Sequence, residues 1–106
     1  MYSLQIIDEA KAELRHELSY SRKKWGDIHA KQYAKEIRAK INSLRTTAKE
    51  HQEHSHVLSG IRILNYRGNR IIYTILEEQS LVVVLAILGN AKNIDSAELS
   101  KRRQHI

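Results

Sequence analysis

The fold of this chain is decided by residues 60–88, which read GIRILNYRGNRIIYTILEEQSLVVVLAIL. Three runs rich in β-branched and aromatic residues, at 60–66, 70–76 and 81–88, are separated by two short polar breaks. This pattern predicts an antiparallel β-meander. The last run is apolar at every position, so we expect both of its faces to be covered and the strand to lie inside the sheet. It is also far too short to span a membrane.

The residues upstream of the meander predict a strand and a helix. Residues 2–6 alternate between apolar and polar side chains, which suits a short strand at or near an edge of the sheet. Asp8 is then a candidate N-cap for a helix that runs to about Lys24, with apolar residues recurring every four positions. Its basic end complements the helix macrodipole.

A second helix follows a hinge at Trp25-Gly26. Asp27 is its candidate N-cap, and an apolar seam at alternating spacings of four and three predicts a helix to about Ala48. Two amphipathic helices joined by so short a hinge lie antiparallel. The resulting helical hairpin is the element that can cover one face of the sheet.

After the meander, a loop rich in turn formers leads to a short C-terminal helix for which Ser96 is the candidate N-cap. Its basic tip contains Lys101, Arg102 and Arg103. We expect this tip to be solvated, with docking onto phosphate or an acidic groove as the alternative. The prediction is a single α+β domain over residues 1–106, of order β-α-α-β-β-β, with the helical hairpin packed on a mostly antiparallel four-stranded sheet.

Composition narrows the classes of protein to consider. The 106 residues contain no cysteine, which excludes disulfides and thiolate metal sites and favours a reducing cytoplasm. The N-terminus lacks the basic start and apolar core of a signal peptide, so a cytoplasmic location is expected. A formal charge of +6 suits an acidic partner, whether nucleic acid, nucleoprotein or acidic protein, although a generic basic surface would carry the same excess.

Three histidines, His51, His54 and His56, lie in the polar connector before the meander. Apart from Glu53, no carboxylate or thiol stands at a recognised ligand spacing beside them, so we predict a solvated loop and no metal site. No cofactor is predicted.

The predicted order of elements and several local motifs are similar to the RelE/ParE superfamily of toxins from toxin–antitoxin modules. The motifs span nearly the whole chain: Tyr20-Ser21 before Lys24-Trp25-Gly26, Ala30 and Tyr33 on the second helix, Leu58 to Arg62, Gly68 to Tyr73, and Val84 to Leu88. The resemblance implies a toxin neutralised by a cognate antitoxin whose acidic, partly disordered segment folds on binding. It further implies a toxin–antitoxin hetero-oligomer that does not involve a membrane.

The superfamily has two functional branches. Ribosome-dependent ribonucleases resembling RelE need a base, phosphate-binding cations and an acid. The resemblance places Arg70 in such a set, and only Lys92 and His105 remain to fill the other roles. The set therefore looks incomplete, and the Trp25-Gly26 hinge with the long second helix is more similar to the ParE branch, whose members poison DNA gyrase without chemistry of their own.

Candidate partner contacts are Arg62, Arg67 and Arg70, around the first β-hairpin of the meander, together with the basic C-terminal tip. We call the three the hairpin arginines. Strand alternation would place some of the three on one face as a positive patch, although arginines that only keep a turn hydrated are an equal alternative. Trp25 is expected to plug the end of the helical hairpin in preference to anchoring a partner. The chain has few aromatic residues, so a nucleic-acid reader built on stacking is not expected.

The favoured hypothesis is therefore a ParE-like toxin that binds gyrase. Alternatives are a RelE-like ribonuclease acting on messenger RNA at the ribosome, a DNA-binding accessory protein, and an inactive relative that only sequesters antitoxin.

Overall fold

A computed structural model describes all residues from Met1 to Ile106. The elements follow one another in this order: β1 (Ser3–Ile6), α1 (Asp8–Trp25), α2 (Asp27–Thr47), β2 (Ile61–Tyr66), β3 (Asn69–Leu76), β4 (Leu81–Gly89) and α3 (Ser96–Gln104). Short 3-10 turns at Ala48–Glu50 and Glu77–Gln79 follow α2 and β3. The predicted α+β architecture is confirmed.

The four strands form one sheet in the order β1-β4-β3-β2. β1 lies at an edge and runs parallel to β4, with Ser3 opposite Leu81 and Ile6 opposite Val84. The other two pairings are antiparallel. The apolar strand β4 is therefore interior, as the sequence predicts.

A bulge in β4 changes which of its side chains face each side of the sheet. Tyr73 of β3 is opposite Val84, whereas Ile72 is opposite Ala86, so Leu85 is an extra residue without a partner. The extra residue reverses the alternation of side chains beyond it. Val84 before the bulge therefore faces the same side of the sheet as Ile87 after it.

The helical hairpin covers one face of the sheet. Its apolar seam supplies Ile37, Ile41 and Leu44, which are almost fully buried against Val82, Val84 and Ile87 of β4. Burial on this scale is the main favourable contribution to folding. None of the helices combines the length and apolar character needed to cross a bilayer.

The opposite face of the sheet is covered by α3 and by the connector before β2. Leu99 of α3 is 2% exposed among Ile61, Ile72 and Val83, with Val57 packed beside them. No core residue was predicted in this helix from the sequence. One large apolar residue in a nine-residue helix is a weak sequence signal, yet it suffices because the sheet face beneath it is apolar.

A partly buried ion pair covers the part of the β4 edge that β1 does not reach. Beyond Val84, the Glu13 carboxylate of α1 accepts a hydrogen bond from Ile87 N (3.2 Å), while Arg102 Nη1 of α3 donates to Leu85 O (2.8 Å). The two side chains also bind each other, with Arg102 Nη1 2.9 Å from Glu13 Oε1. They satisfy strand-edge groups that would otherwise lack partners.

The N-caps of the first two helices lie one residue earlier than predicted. Ile7, not Asp8, is the N-cap of α1, because its extended backbone still donates to Val84 O as a continuation of β1. Gly26, not Asp27, is the N-cap of α2, since its φ of 91° turns the chain between the helices. Both aspartates lie in the first turn, where a carboxylate still suits the helix dipole.

The third helix is also displaced by one residue from its predicted start. Asp95, not Ser96, is its N-cap, and the carboxylate accepts hydrogen bonds from Ala97 N (3.0 Å) and Glu98 N (3.1 Å). A carboxylate that binds two backbone N–H groups is a strong cap.

Replacing Arg102 should destabilise the fold. Arg102→Met leaves the Glu13 carboxylate and Leu85 O without their cationic partner, so we expect the free energy of unfolding to fall by about 2 kcal/mol. Lys101→Met, on the exposed side of the same helix, should change it by less than about 0.5 kcal/mol. Urea unfolding of both variants measures the difference, and equal effects would contradict a role for the ion pair in closing the strand edge.

Candidate functional site

A cavity of about 530 Å³ opens where the helical hairpin meets the far end of the sheet. We call it the hairpin cavity. The residues that line it come from α1, the start of α2, the β2–β3 turn and the loop after β4: His16, Glu17, Tyr20, Ser21, Trp25, His29, Tyr33, Arg67, Gly68, Asn69, Gly89, Asn90, Ala91 and Lys92. Four segments that are distant in sequence therefore converge on one opening.

Trp25 lies at the rim of the cavity and does not plug the helical hairpin. Its side chain is 59% exposed, because α1 continues through this residue and the end of the hairpin is already filled by Ala30 and Tyr33. The indole ring packs against His29, with ring centroids 5.7 Å apart. Lys24 Nζ lies 5.0 Å from the indole centroid, within the range of a cation–π contact. The predicted plug was wrong.

Two buried polar atoms beside the cavity have no hydrogen-bond partner. They are the Tyr33 hydroxyl and Asn69 Oδ1, on side chains that are 8% and 6% exposed. Burial, and then the Glu17 carboxylate, raises the pKa of Tyr33 to about 12, so the phenol stays protonated at neutral pH. Unsatisfied buried groups are uncommon in folded proteins and often mark a functional site.

The three hairpin arginines do not form one patch. Arg62 shares the helix-facing side of the sheet and donates to Lys49 O (3.3 Å) and His51 O (2.6 Å). Arg70 lies on the opposite face, because its cross-strand partner Asn65 is an odd number of positions from Arg62 on β2. Arg67 pairs with Glu36 at 3.1 Å. Each guanidinium is thus held by a different part of the molecule.

Arg70 anchors the loop that follows β4. Its Nη2 donates to Gly89 O (2.9 Å) and to Lys92 O. The guanidinium therefore fixes the backbone of Lys92, which lines the hairpin cavity. This is a structural role for Arg70 that the sequence does not reveal.

The basic tip of α3 is only partly free. The side chain of Arg102 is 13% exposed in its ion pair, and Arg103 Nη1 donates to Ser59 O. Lys101 alone of the three is exposed. All three residues were expected to be solvated. This was wrong for Arg102, because its guanidinium binds Glu13 and the edge of β4.

The residues considered for RNA cleavage do not share the cavity. Lys92 lines it, whereas Arg70 and His105 do not, and His105 is exposed at the end of α3.

The histidines of the connector are also dispersed. His54 and His56 have ring centroids 5.5 Å apart, while His51 lies edge-on to Tyr73 at 6.3 Å. No three His, Cys, Asp or Glu side chains in the structure are arranged to hold a metal ion.

Sequence inspection missed most of the cavity. His16 and Tyr20 are four residues apart on α1, and His29 and Tyr33 are four apart on α2. Such spacing places each pair on one helix face. This signal was available, but only the packing of the two helices brings the pairs together.

Comparisons with known proteins agree with the fold. A family model described as ParE toxin of type II toxin-antitoxin system, parDE, matches residues 4–94. A structure of the chromosomal ParDE toxin–antitoxin system from P. aeruginosa is similar, with a TM-score of 0.71 and 18% identity over 84% of this chain and 96% of that chain. A search of curated proteins finds no match.

Two E. coli structures share the fold as well. The intact RelBE toxin–antitoxin complex gives a TM-score of 0.60 and 18% identity over 88% of this chain and 100% of that chain. The isolated RelE toxin gives a TM-score of 0.59 and 17% identity over 98% of this chain and 99% of that chain.

Alkaline pH should destabilise the chain in part through Tyr33. Its pKa is about 12 in the folded state and about 10 when unfolded, so the unfolded chain loses the phenolic proton first. The free energy of unfolding should therefore fall as pH rises from about 10 to 12. Tyr33→Phe should make this fall shallower without abolishing it, since burial also raises the pKa of Tyr73 to about 12. Urea unfolding across this pH range tests the prediction, and an unchanged slope in Tyr33→Phe would contradict it.

Proposed function

This chain belongs to the ParE toxin family of type II toxin–antitoxin systems, and we propose that it acts as the toxin by binding DNA gyrase, with no chemistry of its own. The family match covers both long helices and all four strands. It therefore rests on the whole scaffold and not on a short motif.

The observation that carries this proposal is the separation of the groups that RNA cleavage would need. General acid–base catalysis requires its groups within hydrogen-bond reach of one scissile phosphate. Here Arg70 is committed to two carbonyls of the loop after β4, Lys92 faces the hairpin cavity, and His105 lies on α3. This arrangement supports a toxin that works by binding.

Exposed apolar side chains supply a contact surface for a large protein partner. Tyr20, Trp25 and Ile28, which are 56%, 59% and 88% exposed, lie together at the tip of the helical hairpin. Lys24 lies over the rings of Tyr20 and Trp25 at 5.7 and 5.0 Å. We call these four residues the hairpin-tip surface. Aromatic residues beside a cation are the side chains most enriched at the centres of protein interfaces.

The second proposed partner is a cognate antitoxin. A formal charge of +6 favours an acidic segment, and such a segment would order as it binds. Similar solved structures include a ParDE system and a RelBE complex. We therefore propose that the resting form is a toxin–antitoxin hetero-oligomer, with Lys101 and Arg67 among the exposed cations available to the antitoxin.

A supercoiling assay tests the proposed target. Purified chain added to DNA gyrase and relaxed plasmid should inhibit supercoiling and increase cleaved plasmid. Trp25→Ala combined with Ile28→Ala should raise the concentration of the chain needed for half-maximal inhibition by at least about tenfold, because it removes the two most exposed apolar side chains of the hairpin-tip surface. Gln79→Ala, an exposed position at the opposite end of the sheet, serves as the matched control and should behave as the unmodified chain.

The competing function has its own outcome. If the chain leaves gyrase unaffected but cuts messenger RNA in a ribosome-dependent way, and Arg70→Ala abolishes the cutting, the RelE-type ribonuclease replaces this proposal. In cells, a DNA-damage response on induction agrees with gyrase as the target, whereas a prompt block of protein synthesis opposes it.

A further inference from the structure

Two residues that line the hairpin cavity carry buried polar atoms whose hydrogen bonds are not satisfied within the chain. The Tyr33 hydroxyl and Asn69 Oδ1 are both buried without a partner. Leaving such groups unpaired costs free energy that a well-matched ligand would recover. The two groups therefore specify what a ligand must offer.

Their hydrogen-bonding characters differ. The Tyr33 phenol is protonated and can donate, whereas Asn69 Oδ1 can only accept. The Glu17 carboxylate, which also lines the cavity, is a further acceptor. We call Tyr33, Asn69 and Glu17 the floor of the cavity. A ligand that satisfies this floor needs a hydrogen-bond acceptor for Tyr33 and a donor for Asn69 on one edge. A carboxylate side chain has acceptors only, so the acidic side chains of a peptide would not by themselves satisfy Asn69 Oδ1.

The walls of the cavity offer flat aromatic faces. Tyr20, Trp25 and His29 line it together with Tyr33. Base stacking was not expected because aromatic residues are few in the sequence, yet the fold collects four aromatic rings at one opening. Aromatic and imidazole rings are the surfaces on which proteins stack nucleobases.

The rim of the cavity carries a cation that is not paired with a carboxylate of the chain. Lys92 forms no ion pair within the chain, while the Arg67 guanidinium is shared with Glu36. Arg70 binds the Lys92 carbonyl, which keeps the Lys92 backbone at the opening within side-chain reach of the cavity. A lysine held in this way suits a phosphate group.

We propose that the hairpin cavity binds a nucleotide, with the edge of the base hydrogen-bonded to Tyr33 and Asn69, its ring against Trp25 or Tyr20, and the phosphate near Lys92. A nucleobase is planar, carries donors and acceptors on one edge, and is joined to an anion, so it matches the floor, walls and rim at once. A glutamine or asparagine of a protein partner would satisfy the floor but would leave the aromatic walls and Lys92 unused.

The dimensions and access agree with this class of ligand. A volume of about 530 Å³ lies within the range of small-ligand sites. Because the Tyr33 and Asn69 oxygens are closed to water, the ligand must shift a lining side chain to reach them. Trp25, which lines the cavity and is 59% exposed, has room on its solvent side to shift in this way. The proposal does not depend on gyrase as the target of the toxin.

The single tryptophan of the chain provides a direct measurement. Titration of the purified full-length chain with AMP, GMP, CMP and UMP should change Trp25 fluorescence saturably for at least one of them, with a dissociation constant below about 1 mM. Isothermal titration calorimetry on the same samples gives the affinity independently of the indole signal. Ribose 5-phosphate and inorganic phosphate should bind at least about tenfold more weakly than that nucleotide, since neither has a base.

Tyr33→Phe separates binding from folding. It removes a hydroxyl with no partner, so the variant should unfold at an unchanged or higher urea concentration. Its affinity for the nucleotide should nevertheless fall by at least about fivefold. The matched control is Tyr2→Phe, which removes a hydroxyl bonded to Glu77 and lies outside the cavity. It should bind the nucleotide as the unmodified chain does.

Three results would overturn the proposal: no saturable binding of any nucleotide by calorimetry, equal affinity for ribose 5-phosphate, or unchanged affinity in Tyr33→Phe. Tighter binding of an acidic hexapeptide than of any nucleotide would do so too, and would assign the cavity to a protein segment.

Two sources of the nucleotide are distinguished by adding single-stranded DNA and RNA hexamers. Higher affinity for a hexamer indicates a base taken from a strand, and higher affinity for the monophosphate indicates a free nucleotide. If the chain does not inhibit gyrase but still binds a nucleotide, gyrase is rejected as the target and the nucleotide site stands.

Discussion

The structure depends on covering one strand from every direction. β4 is apolar throughout, so each of its faces must lie against other apolar residues and each of its edges must be hydrogen-bonded. β1 and β3 pair its edges, the helical hairpin packs on one face, and α3 packs on the other. Where β1 ends, Glu13 and Arg102 complete the hydrogen bonding of the edge. The ion pair thus joins the first helix to the last through the central strand.

The hairpin cavity is a consequence of this arrangement. The bulge at Leu85 changes which side chains of β4 face the helices, and the strand then runs on to Gly89 below α1. A Cβ added at Gly89 would lie 3.3 Å from the Glu17 carboxylate, so the end of β4 lies beside this side chain of α1. Arg70 then holds the following loop over the opening. The cavity is therefore lined by elements whose positions are set by packing elsewhere.

Several arginines of this protein help to hold the fold together. The sequence shows a surplus of basic residues, but Arg62, Arg70, Arg102 and Arg103 all donate hydrogen bonds to backbone carbonyls. Guanidinium groups suit this use because they present several donors in a rigid plane. The cations left for partners are mainly lysines. The exposed apolar residues of the hairpin-tip surface are correspondingly more informative about binding than the net charge is.

The sequence by itself determined the order of elements, the interior position of β4 and the antiparallel helical hairpin, because periodicity and turn residues report local structure and burial. It also carried the resemblance to the toxin family. Only the tertiary structure decided that Trp25 is exposed, that Arg102 is largely enclosed in an ion pair, and that Tyr33 and Asn69 meet at one cavity. These features arise between residues far apart in the chain, and spacing along a sequence does not record which distant groups share an environment.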